Sequence, residues 1–398
     1  MSLNKIRSIL YINSNNLNKK TVDIKQSINT VNALSLFYDI TFYSSWINKK
    51  NITDLERFFN IKLNFKHRRI PIIIFTKFFL LEKITRSIYC IFLIIHLFKN
   101  KYDIVLTRDF SFLYLLGLIP EFLRPKVKII FEVHKIYHKT SKKVNYNQEK
   151  KALSQVKLFI TNSGGTKKGL VDFYNIDNNK ILVLHNGVNL DTFKYKEPDY
   201  DYLKREYEIN KNDIIIIYTG SFLKWKGVEY LIYALDYISS ENIKLLLIGG
   251  SGKDRKRIEK IVKESKNKRN IIVRGVLNQQ ELIKLLSISK IALIPNIVTN
   301  EGMNYTSPVK IFEYLAMGLP IIASKLSSIK EILKEKDNCI FFEPGNSKDC
   351  AKKIIDLLRN DQLLKQMSKN NLIKSRYFSW KKRTEGLINF LEKNYDTK

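Results

Sequence analysis

The sequence predicts an α/β protein made of two doubly wound domains in tandem, and three observations indicate this fold class. The chain has 398 residues, more than one hydrophobic core usually serves, so two domains of similar size are expected. Hydrophobic residues make up 44% of it, enough to bury sizeable cores. Short apolar runs alternate with longer amphipathic stretches, which is typical of parallel sheets covered by helices on both faces.

The first half of the chain shows six candidate strands and two clear helical patterns. The strands are expected at residues 7–12, 40–43, 104–106, 127–132, 158–161 and 181–184, and the helices at residues 24–37 and 166–174. A polar, proline-containing stretch at residues 194–212 then interrupts the pattern. Such composition shifts mark linkers, so we expect the first domain to occupy residues 1–194.

A second α/β series follows the linker. Its strands are expected at residues 214–219, 244–248, 271–274, 291–295, 321–323 and 340–342, with helices at 228–238, 255–265, 279–288 and 309–317 between or after them. We therefore predict a second Rossmann-like domain over residues 195–375 and a closing helical segment over residues 376–398. Ligands of doubly wound sheets bind beyond the carboxyl ends of the strands, so we expect the two domains to face a central cleft that holds the ligand.

The charge balance predicts anionic partners. The net charge is +31, of which residues 1–190 carry +19 and residues 191–398 carry +12. Such an excess attracts phosphate groups, acidic lipid or nucleic acid. No helix-turn-helix, zinc or RNA-recognition signature accompanies it, which argues against specific nucleic-acid binding. The three cysteines lack disulfide or metal-binding spacing and the N-terminus lacks a signal-peptide pattern, so we expect buried thiols and a cytoplasmic protein.

One segment, residues 70–98, is strongly apolar. Four charged residues interrupt it, and the longest uncharged run is too short for the ~20 residues that a membrane-spanning helix needs. Two interpretations stay open: a helix packed in the core, or a helix in the membrane interface with Lys66, Arg68 and Arg69 on lipid headgroups. One helix can do both, because its opposite faces can have different partners.

Two motifs match known ligand signatures only in part. Gly249, Gly250 and Gly252 follow a predicted strand, but their spacing fits neither the dinucleotide-binding GxGxxG nor the P-loop. They predict a tight turn, whose backbone N–H groups can face a nucleotide. Asp199 and Asp201 form a DxD pair with no strand before it, which we interpret as a solvated helix start rather than a metal site.

The strongest candidate site is the segment YTSPVKIFEYLAMGLP. Thr306 or Ser307 can cap a helix that has Pro308 in its first turn, which leaves free N–H groups at the positive end of the helix dipole. Lys310 and Glu313 are three residues apart and share one helical face. The cation can hold a diphosphate, and the carboxylate can accept hydrogen bonds from ribose. The alternative is an ordinary capped helix with a surface ion pair.

This segment resembles the donor-binding helix of glycosyltransferase family 4, the retaining enzymes of GT-B fold, in a branch that reads close to TSPxKxFEYxAxGxP. Other landmarks follow in the family's order. GSFLKWKGVEYLIYAL, from Gly220, is similar to the element with the diphosphate-binding lysine, here Lys226. ILVLHNGVNLDTF, with Asn186, resembles the element that closes the first domain. LTRDF around Arg108 and FEVH ending at His134 resemble first-domain motifs that face the cleft, and FSWKKRTEGLINFLE resembles the final helix that crosses back.

The resemblance implies a transferase that needs no metal or cofactor and retains anomeric configuration. Its co-substrate would be a UDP- or GDP-type sugar, and its acceptor a cell-envelope glycan or glycolipid, as in capsule, O-antigen or lipopolysaccharide biosynthesis. The implied catalytic residues are His134, Lys226 and Glu313, and the implied acceptor-side residues are Arg108 and Asn186. The implied donor-binding residues are Gly220, Ser221, Lys226, Gly249, Arg274, Val276, Thr306, Ser307, Pro308, Lys310 and Glu313. The expected location is the inner face of the cytoplasmic membrane, as a peripheral protein.

Two departures from the family pattern keep other functions open. Tyr305 stands where many members carry the first of two glutamates eight residues apart, and Ser221 stands where an arginine often follows the glycine. A catalytically silent sugar-nucleotide-binding homologue or partner subunit is therefore the second hypothesis. A sugar-nucleotide epimerase of the same fold is the third. We expect Lys224, Arg108 or Lys310 to replace the missing cation if the chain is active.

Overall fold

The computed structural model describes residues 6–15, 22–45, 49–60, 62–69, 79–141, 143–240, 242–299, 305 and 307–395. The chain divides into two compact units. Unit 1 comprises Met1–His185 together with Trp380–Lys398, and unit 2 comprises Asn186–Ser379. Each unit contains a parallel sheet with a Rossmann-like arrangement of strands and helices, which confirms the predicted fold class.

The described part of unit 1 contains a seven-stranded sheet in the order β3-β2-β1-β4-β5-β6-β7. Its strands are β1 (Ser8–Asn13), β2 (Asp39–Ser44), β3 (Lys66–Arg69), β4 (Ile104–Thr107), β5 (Lys128–Val133), β6 (Leu158–Thr161) and β7 (Ile181–Val183). Its helices before the crossing into unit 2 are α1 (Val22–Leu34), α2 (Lys49–Phe59), α3 (Phe79–Lys99), α4 (Phe110–Leu118), α5 (Tyr137–Thr140), α6 (Tyr146–Leu153) and α7 (Gly164–Tyr174).

The described part of unit 2 contains a six-stranded sheet in the order β10-β9-β8-β11-β12-β13. Its strands are β8 (Ile214–Gly220), β9 (Ile243–Gly249), β10 (Ile271–Arg274), β11 (Ser289–Ile294), β12 (Ile321–Ser324) and β13 (Cys339–Phe342). Its helices are α8 (Tyr200–Tyr207), α9 (Val228–Leu235), α10 (Gly252–Glu264), α11 (Gln279–Ser287), α12 (Val309–Ala316), α13 (Ser327–Lys330), α14 (Ser347–Leu358) and α15 (Asp361–Ser375).

The last helix, α16 (Trp380–Asn394), belongs to unit 1. Leu387 and Leu391 on α16 are buried in the core that also contains residues of α1, β1 and β2. The chain therefore leaves unit 1 once and returns to it, so that its first and last segments share one hydrophobic core.

A domain boundary and a strand differ from the sequence-based expectation. Unit 2 begins at Asn186 rather than at residue 195, because Val188 pairs with Ser379 and Phe193 packs in the core of unit 2. Strand β3 was not predicted, since its sequence KHRR has no apolar residue. Within the described residues it pairs with β2 alone, at the edge of the sheet, where basic side chains can remain in water.

Several smaller predictions can be compared with the described residues. Asp199 accepts a hydrogen bond from the backbone N–H of Tyr202 and caps α8, which confirms the interpretation of the DxD pair as a helix start. The three cysteines are free and buried, as expected. No helix within the described residues has both the length and the apolar character needed to cross a bilayer.

Candidate functional site

The carboxyl ends of β8 and β9 in unit 2 meet in a glycine contact. Gly249 has a φ of 122°, and a Cβ atom there would lie 2.2 Å from the carbonyl oxygen of Gly220. The backbone N–H of Gly250 donates a hydrogen bond to the same oxygen over 3.1 Å. A side chain at Gly249 would force the two strand ends apart, so this edge of the sheet requires glycine.

The turn after β8 places Lys226 near this edge. Tyr218 on β8 donates a hydrogen bond from its hydroxyl to the carbonyl oxygen of Ser221 over 2.6 Å. Further along, the backbone N–H of Ile297 donates to the carbonyl oxygen of Trp225 over 3.0 Å, which ties the turn to the segment that follows β11. The Nζ atom of Lys226 lies 3.6 Å from the centroid of the Trp225 ring.

Lys310 on α12 approaches the same edge from the next layer of the unit. Its Nζ atom lies 3.4 Å from the centroid of the Tyr218 ring, and a Cβ atom on Gly220 would lie 3.1 Å from that Nζ. The side chain is buried, and among the described residues its Nζ atom has no hydrogen-bond partner. A buried ammonium group that lies over an aromatic face and makes no hydrogen bond within the described residues is incompletely satisfied, which is typical of a site that completes its interactions with a ligand.

Desolvation perturbs both lysines, and the charge of Lys226 also perturbs Lys310. Burial lowers the pKa of Lys226 from its ordinary value to about 7. Burial and the nearby charge of Lys226 lower the pKa of Lys310 well below its ordinary value, while Glu313 acts in the opposite direction. Desolvation and like-charge repulsion both disfavour the ammonium form, and a bound anion would reverse both effects. The pair is therefore suited to an anion that carries more than one negative charge.

Helix α12 is held against β8 by a buried tyrosine. Tyr314 accepts a hydrogen bond at its hydroxyl from the backbone N–H of Thr219 over 2.8 Å. Ile311, Phe312 and Leu315 of the same helix pack in the core of unit 2. These contacts fix the orientation of the helix, so that Lys310 and Glu313, both buried, are positioned by the core.

The start of α12 differs from the prediction. The helix begins at Val309, and Pro308 occupies the position before it without a side-chain cap. Ser307 does not cap the helix, because its hydroxyl accepts a hydrogen bond from the backbone N–H of Asn186 and its carbonyl accepts one from the Asn186 side chain over 2.7 Å. Thr306, the other predicted cap, lies outside the described residues. Asn186 was predicted on the acceptor side of the first domain, but it belongs to unit 2 and supports this segment.

The predicted base-contacting residues lie at and after the end of β10. Arg274 donates a hydrogen bond to the carbonyl oxygen of Glu206 over 2.9 Å, and its guanidinium lies over the Tyr207 ring. Its side chain is thus engaged by α8, which leaves the backbone after β10 for the predicted nucleotide contact. Val276, two residues further on, is exposed.

Unit 1 contains a buried charge cluster at the carboxyl ends of β4 and β5. Arg108 forms two hydrogen bonds with Glu132, over 2.9 and 2.7 Å, and a third with Asp23 over 3.1 Å. Arg383 of α16 reaches the same carboxylate over 2.5 Å and also donates to the carbonyl oxygen of His185. Burial alone would raise the pKa of Glu132, but the two guanidinium charges hold it well below its ordinary value. Arg108, predicted as an acceptor-side residue, is thus buried and paired.

His134 lies next to this cluster. Its Nε2 atom is 3.6 Å from Glu132, and its Nδ1 atom is 3.3 Å from the side-chain amide of Asn162. Burial and the charge of Arg108 lower the pKa of His134 below its ordinary value. The ring is partly accessible and is expected to be neutral at pH 7, so it can donate or accept one hydrogen bond to a ligand.

The structure adds residues that the sequence did not single out. Tyr218 carries the ring under Lys310, and period-two alternation along β8 already places it on the same side of the strand as Gly220. Asn296 follows β11, is completely buried, and has neither side-chain polar atom hydrogen-bonded within the described residues. No sequence signal indicated Asn296, because its burial depends on the packing of segments far apart in the chain.

Comparisons with known proteins match both units. Residues 199–373 match the family of glycosyl transferases group 1, and residues 53–192 match glycosyltransferase family 4. An uncharacterized glycosyltransferase of Methanocaldococcus jannaschii, MJ1607, is 26% identical over 226 residues, which cover 56% of each chain. The alignments thus span about half the length of the first curated relatives.

Solved structures with a similar fold cover nearly the whole chain. A glycosyltransferase from Rickettsia africae has a TM-score of 0.78 at 19% identity, over 99% of this chain and all of the other. Anabaena Alr3699/HepE, in complex with UDP-glucose, has a TM-score of 0.75 at 14% identity, over 97% of this chain and 99% of the other. At these identities the likeness shows the fold.

Proposed function

Because the chain belongs to the family 4 glycosyltransferases, whose GT-B fold pairs two Rossmann-like domains, we propose that it transfers a sugar from a nucleotide diphosphate donor to a cell-envelope glycan or glycolipid. The observation that carries the donor half is the lysine pair of unit 2. Lys226 and Lys310 bring two cations to the carboxyl edge of one sheet, and burial disfavours the charge of both. A diphosphate supplies the negative charge that this arrangement needs.

The lysine pair also indicates how the site can function with Ser221 in place of the arginine that many family members have. Three residues could replace the cation that is absent there. Lys224 is exposed, Arg108 is paired with Glu132 in unit 1, and the Nζ atom of Lys310 lies close to Gly220. Lys310 is therefore the replacement that we propose.

In the proposed reaction the bond between the anomeric carbon of the sugar and the diphosphate breaks, and negative charge grows on the departing nucleotide diphosphate. A new bond joins that carbon to a hydroxyl oxygen of the acceptor, and the hydroxyl proton passes to the departing phosphate. Lys226, Lys310 and the backbone N–H groups at the start of α12 stabilise that charge. Glu313, on the same helix, accepts hydrogen bonds from the ribose. The resemblance adds retention of anomeric configuration, a contact between His134 and the transferring sugar, and turnover without a metal, which activity in excess EDTA would test.

The acceptor half of the proposal rests on charge and on exposed apolar surface. Unit 1 belongs to the more basic half of the chain, and its helix α3 exposes a row of large apolar side chains. Both features suit an acceptor linked to lipid at an anionic membrane surface, such as a precursor of capsule, O-antigen or lipopolysaccharide. We accordingly propose a peripheral location on the inner face of the cytoplasmic membrane.

The first test is a thermal-shift panel with UDP, GDP, ADP, CMP and their sugars. A ligand at ~100 times its Kd adds about 2.7 kcal/mol of stability, which gives a visible shift. We expect one nucleotide family to stabilise the wild type but not the Lys226→Ala/Glu313→Ala variant. With the matching donor, Lys226→Ala alone should lower turnover by roughly 10²–10³, the usual effect of losing one preorganised donor at a developing charge.

Lys224→Ala is the matched control, because Lys224 lies in the same turn and is exposed. It should bind and turn over nearly as the wild type does. If no nucleotide stabilises the wild type, the departures at Tyr305 and Ser221 become decisive, and the catalytically silent homologue replaces the transferase as the favoured function.

A further inference from the structure

Helix α3 of unit 1 is apolar on two opposite faces. Its inner face is buried and includes Tyr89, Cys90, Leu93 and Leu97. Its outer face consists of seven large apolar residues, each between 43% and 58% exposed: Leu81, Ile84, Ile88, Ile91, Phe92, Ile95 and Phe98. Most of these recur at intervals of three and four residues, which aligns side chains along one side of a helix. We call these seven residues the α3 outer face.

This concentration sets α3 apart from the rest of the described chain. No other helix or strand within the described ranges exposes more than two large apolar side chains. Single exposed apolar residues are normal on a soluble protein, but a continuous row of them marks an interaction surface. The α3 outer face is therefore expected to bind a partner.

Further exposed apolar residues follow the neighbouring helix α4. Helices α3 and α4 pack against each other, and each follows one strand of the parallel sheet and precedes another, so both end at the same edge of the sheet. Phe122 and Leu123, just after α4, are exposed. Exposed apolar side chains on α3 and after α4 suit a broad, adaptable partner better than a narrow groove-binding one.

Basic residues are concentrated along the chain in α3 and on either side of it. Residues 62–101 contain nine lysines and arginines and a single acidic residue. Arg68 on β3 is the register partner of Tyr43 on β2, whose ring lies 5.0 Å from that of His96 on α3, so the basic edge strand runs close to the helix. Lys99 and Lys101 are exposed at the end of α3. An apolar row next to cationic groups matches the acyl chains and the anionic headgroups of a bilayer.

We infer that the α3 outer face inserts into the headgroup and acyl boundary of an anionic bilayer, with the helix axis along the membrane plane. Helices of this kind bury their apolar face about 5–10 Å deep while basic residues contact the headgroups. Helix α3 keeps its inner face in the core of unit 1, so the bilayer replaces water on the outer face only. The inference deepens the proposed function by naming the surface that contacts lipid. It rests on that function for the reason why the protein binds a membrane, but the membrane contact itself is argued from α3.

The test is co-sedimentation of the full chain with phosphatidylcholine vesicles, with and without phosphatidylglycerol, in the absence of donor and acceptor. We expect binding to the vesicles that contain phosphatidylglycerol, and weaker binding at high ionic strength. Ile88→Ser/Ile95→Ser removes two side chains from the centre of the row and should lower the partition coefficient roughly tenfold or more. The matched control is Leu36→Ser/Phe37→Ser, which removes two apolar residues of unit 1 outside α3 that are at least as exposed as Ile88 and Ile95. It should bind as the wild type does.

Circular dichroism and thermal melts of both variants should match the wild type, since only exposed side chains change. Equal vesicle binding by the α3 variant and the control would overturn the inference, as would the absence of wild-type binding. A second copy of this chain could cover the α3 outer face instead of lipid. Light scattering without lipid tests this by measuring the oligomeric state. A dimer that the α3 substitutions dissociate, together with no vesicle binding, would assign the face to self-association. Because no donor is present, failure of this test leaves sugar transfer unaffected.

Discussion

In unit 1, Glu132 accepts hydrogen bonds from two buried arginines, whereas in unit 2 Lys310 is buried with no hydrogen-bond partner for its ammonium group among the described residues. Both clusters lie at the carboxyl edge of a parallel sheet, and both remove charge from water. The first supplies its own counterions, and the second has two cations side by side.

The difference separates a structural role from a binding role. A buried ion pair with full hydrogen bonding is self-sufficient, and breaking it leaves an uncompensated charge. A buried amine without a hydrogen-bond partner costs stability, and a chain that retains one gains a site for an anion in return. The comparison therefore predicts opposite effects of removing charge from the two units.

The largest effect is expected in unit 1. Glu132→Leu leaves Arg108 and Arg383 buried without their shared carboxylate, and should lower the free energy of unfolding by about 3–5 kcal/mol. Urea denaturation followed by circular dichroism measures the change. The control is Glu385→Ala on α16, whose pairing with Lys382 is exposed to solvent and should contribute little to stability. Similar losses in the two variants would contradict a structural role for the cluster.

A smaller effect of opposite sign is expected in unit 2. Lys310→Met keeps the length of the side chain and removes a buried amine whose charged form burial and Lys226 both disfavour. Without nucleotide, we expect the free energy of unfolding to rise by roughly 1–2 kcal/mol, because apolar replacement of a poorly compensated buried charge is often stabilising. The same variant should lose most of its nucleotide-dependent thermal shift. A loss of stability instead would indicate that the ammonium group already has a counterion in the folded chain.

The lysine pair of unit 2 was easier to predict from the sequence than the charge cluster of unit 1. Lys226, Lys310 and Glu313 stood out by spacing and resemblance, but the burial of Lys310 against Tyr218 depends on how α12 packs on β8. The pairing of Glu132 with Arg383 joins residues 251 positions apart, which no local pattern indicates.

The strands, by contrast, could be predicted from local sequence alone. Their apolar runs are long because parallel strands are buried on both faces, so each run identifies a strand without knowledge of its neighbours. Strand β3 was missed because an edge strand with the sequence KHRR has no such run. The cap at Ser307 was wrong because Asn186, 121 residues away, uses the serine hydroxyl. Local chemistry therefore predicted the elements, and distant partners decided the roles of individual polar groups.

The smallest effect concerns the protonation of the lysine pair. Burial lowers the pKa of Lys226 to about 7, so above pH 7 a growing fraction of the free protein carries neutral Lys226. Folding favours the neutral form of Lys226, so this group lowers the stability of the folded protein most at pH values below about 7. The loss fades as the pH rises from about 7 to the ordinary lysine pKa of 10.5. A bound diphosphate favours the ammonium form and must take up a proton above pH 7.

We therefore expect the affinity for the stabilising nucleoside diphosphate to fall between pH 7 and 9, by up to about tenfold per pH unit for each lysine that must take up a proton. The terminal phosphate of the diphosphate has a second pKa of about 6, so it is mostly ionised at pH 7. Its remaining ionisation adds negative charge and would strengthen binding, so a fall in affinity reports on the protein. Calorimetric titration in two buffers of different ionisation enthalpy measures the proton uptake directly. Lys226→Arg removes one titrating group, because a guanidinium remains charged, and should reduce both the uptake and the slope. An affinity independent of pH over this range would mean that both lysines are already charged in the free protein, and the contrast between the two units would then rest on hydrogen bonding alone.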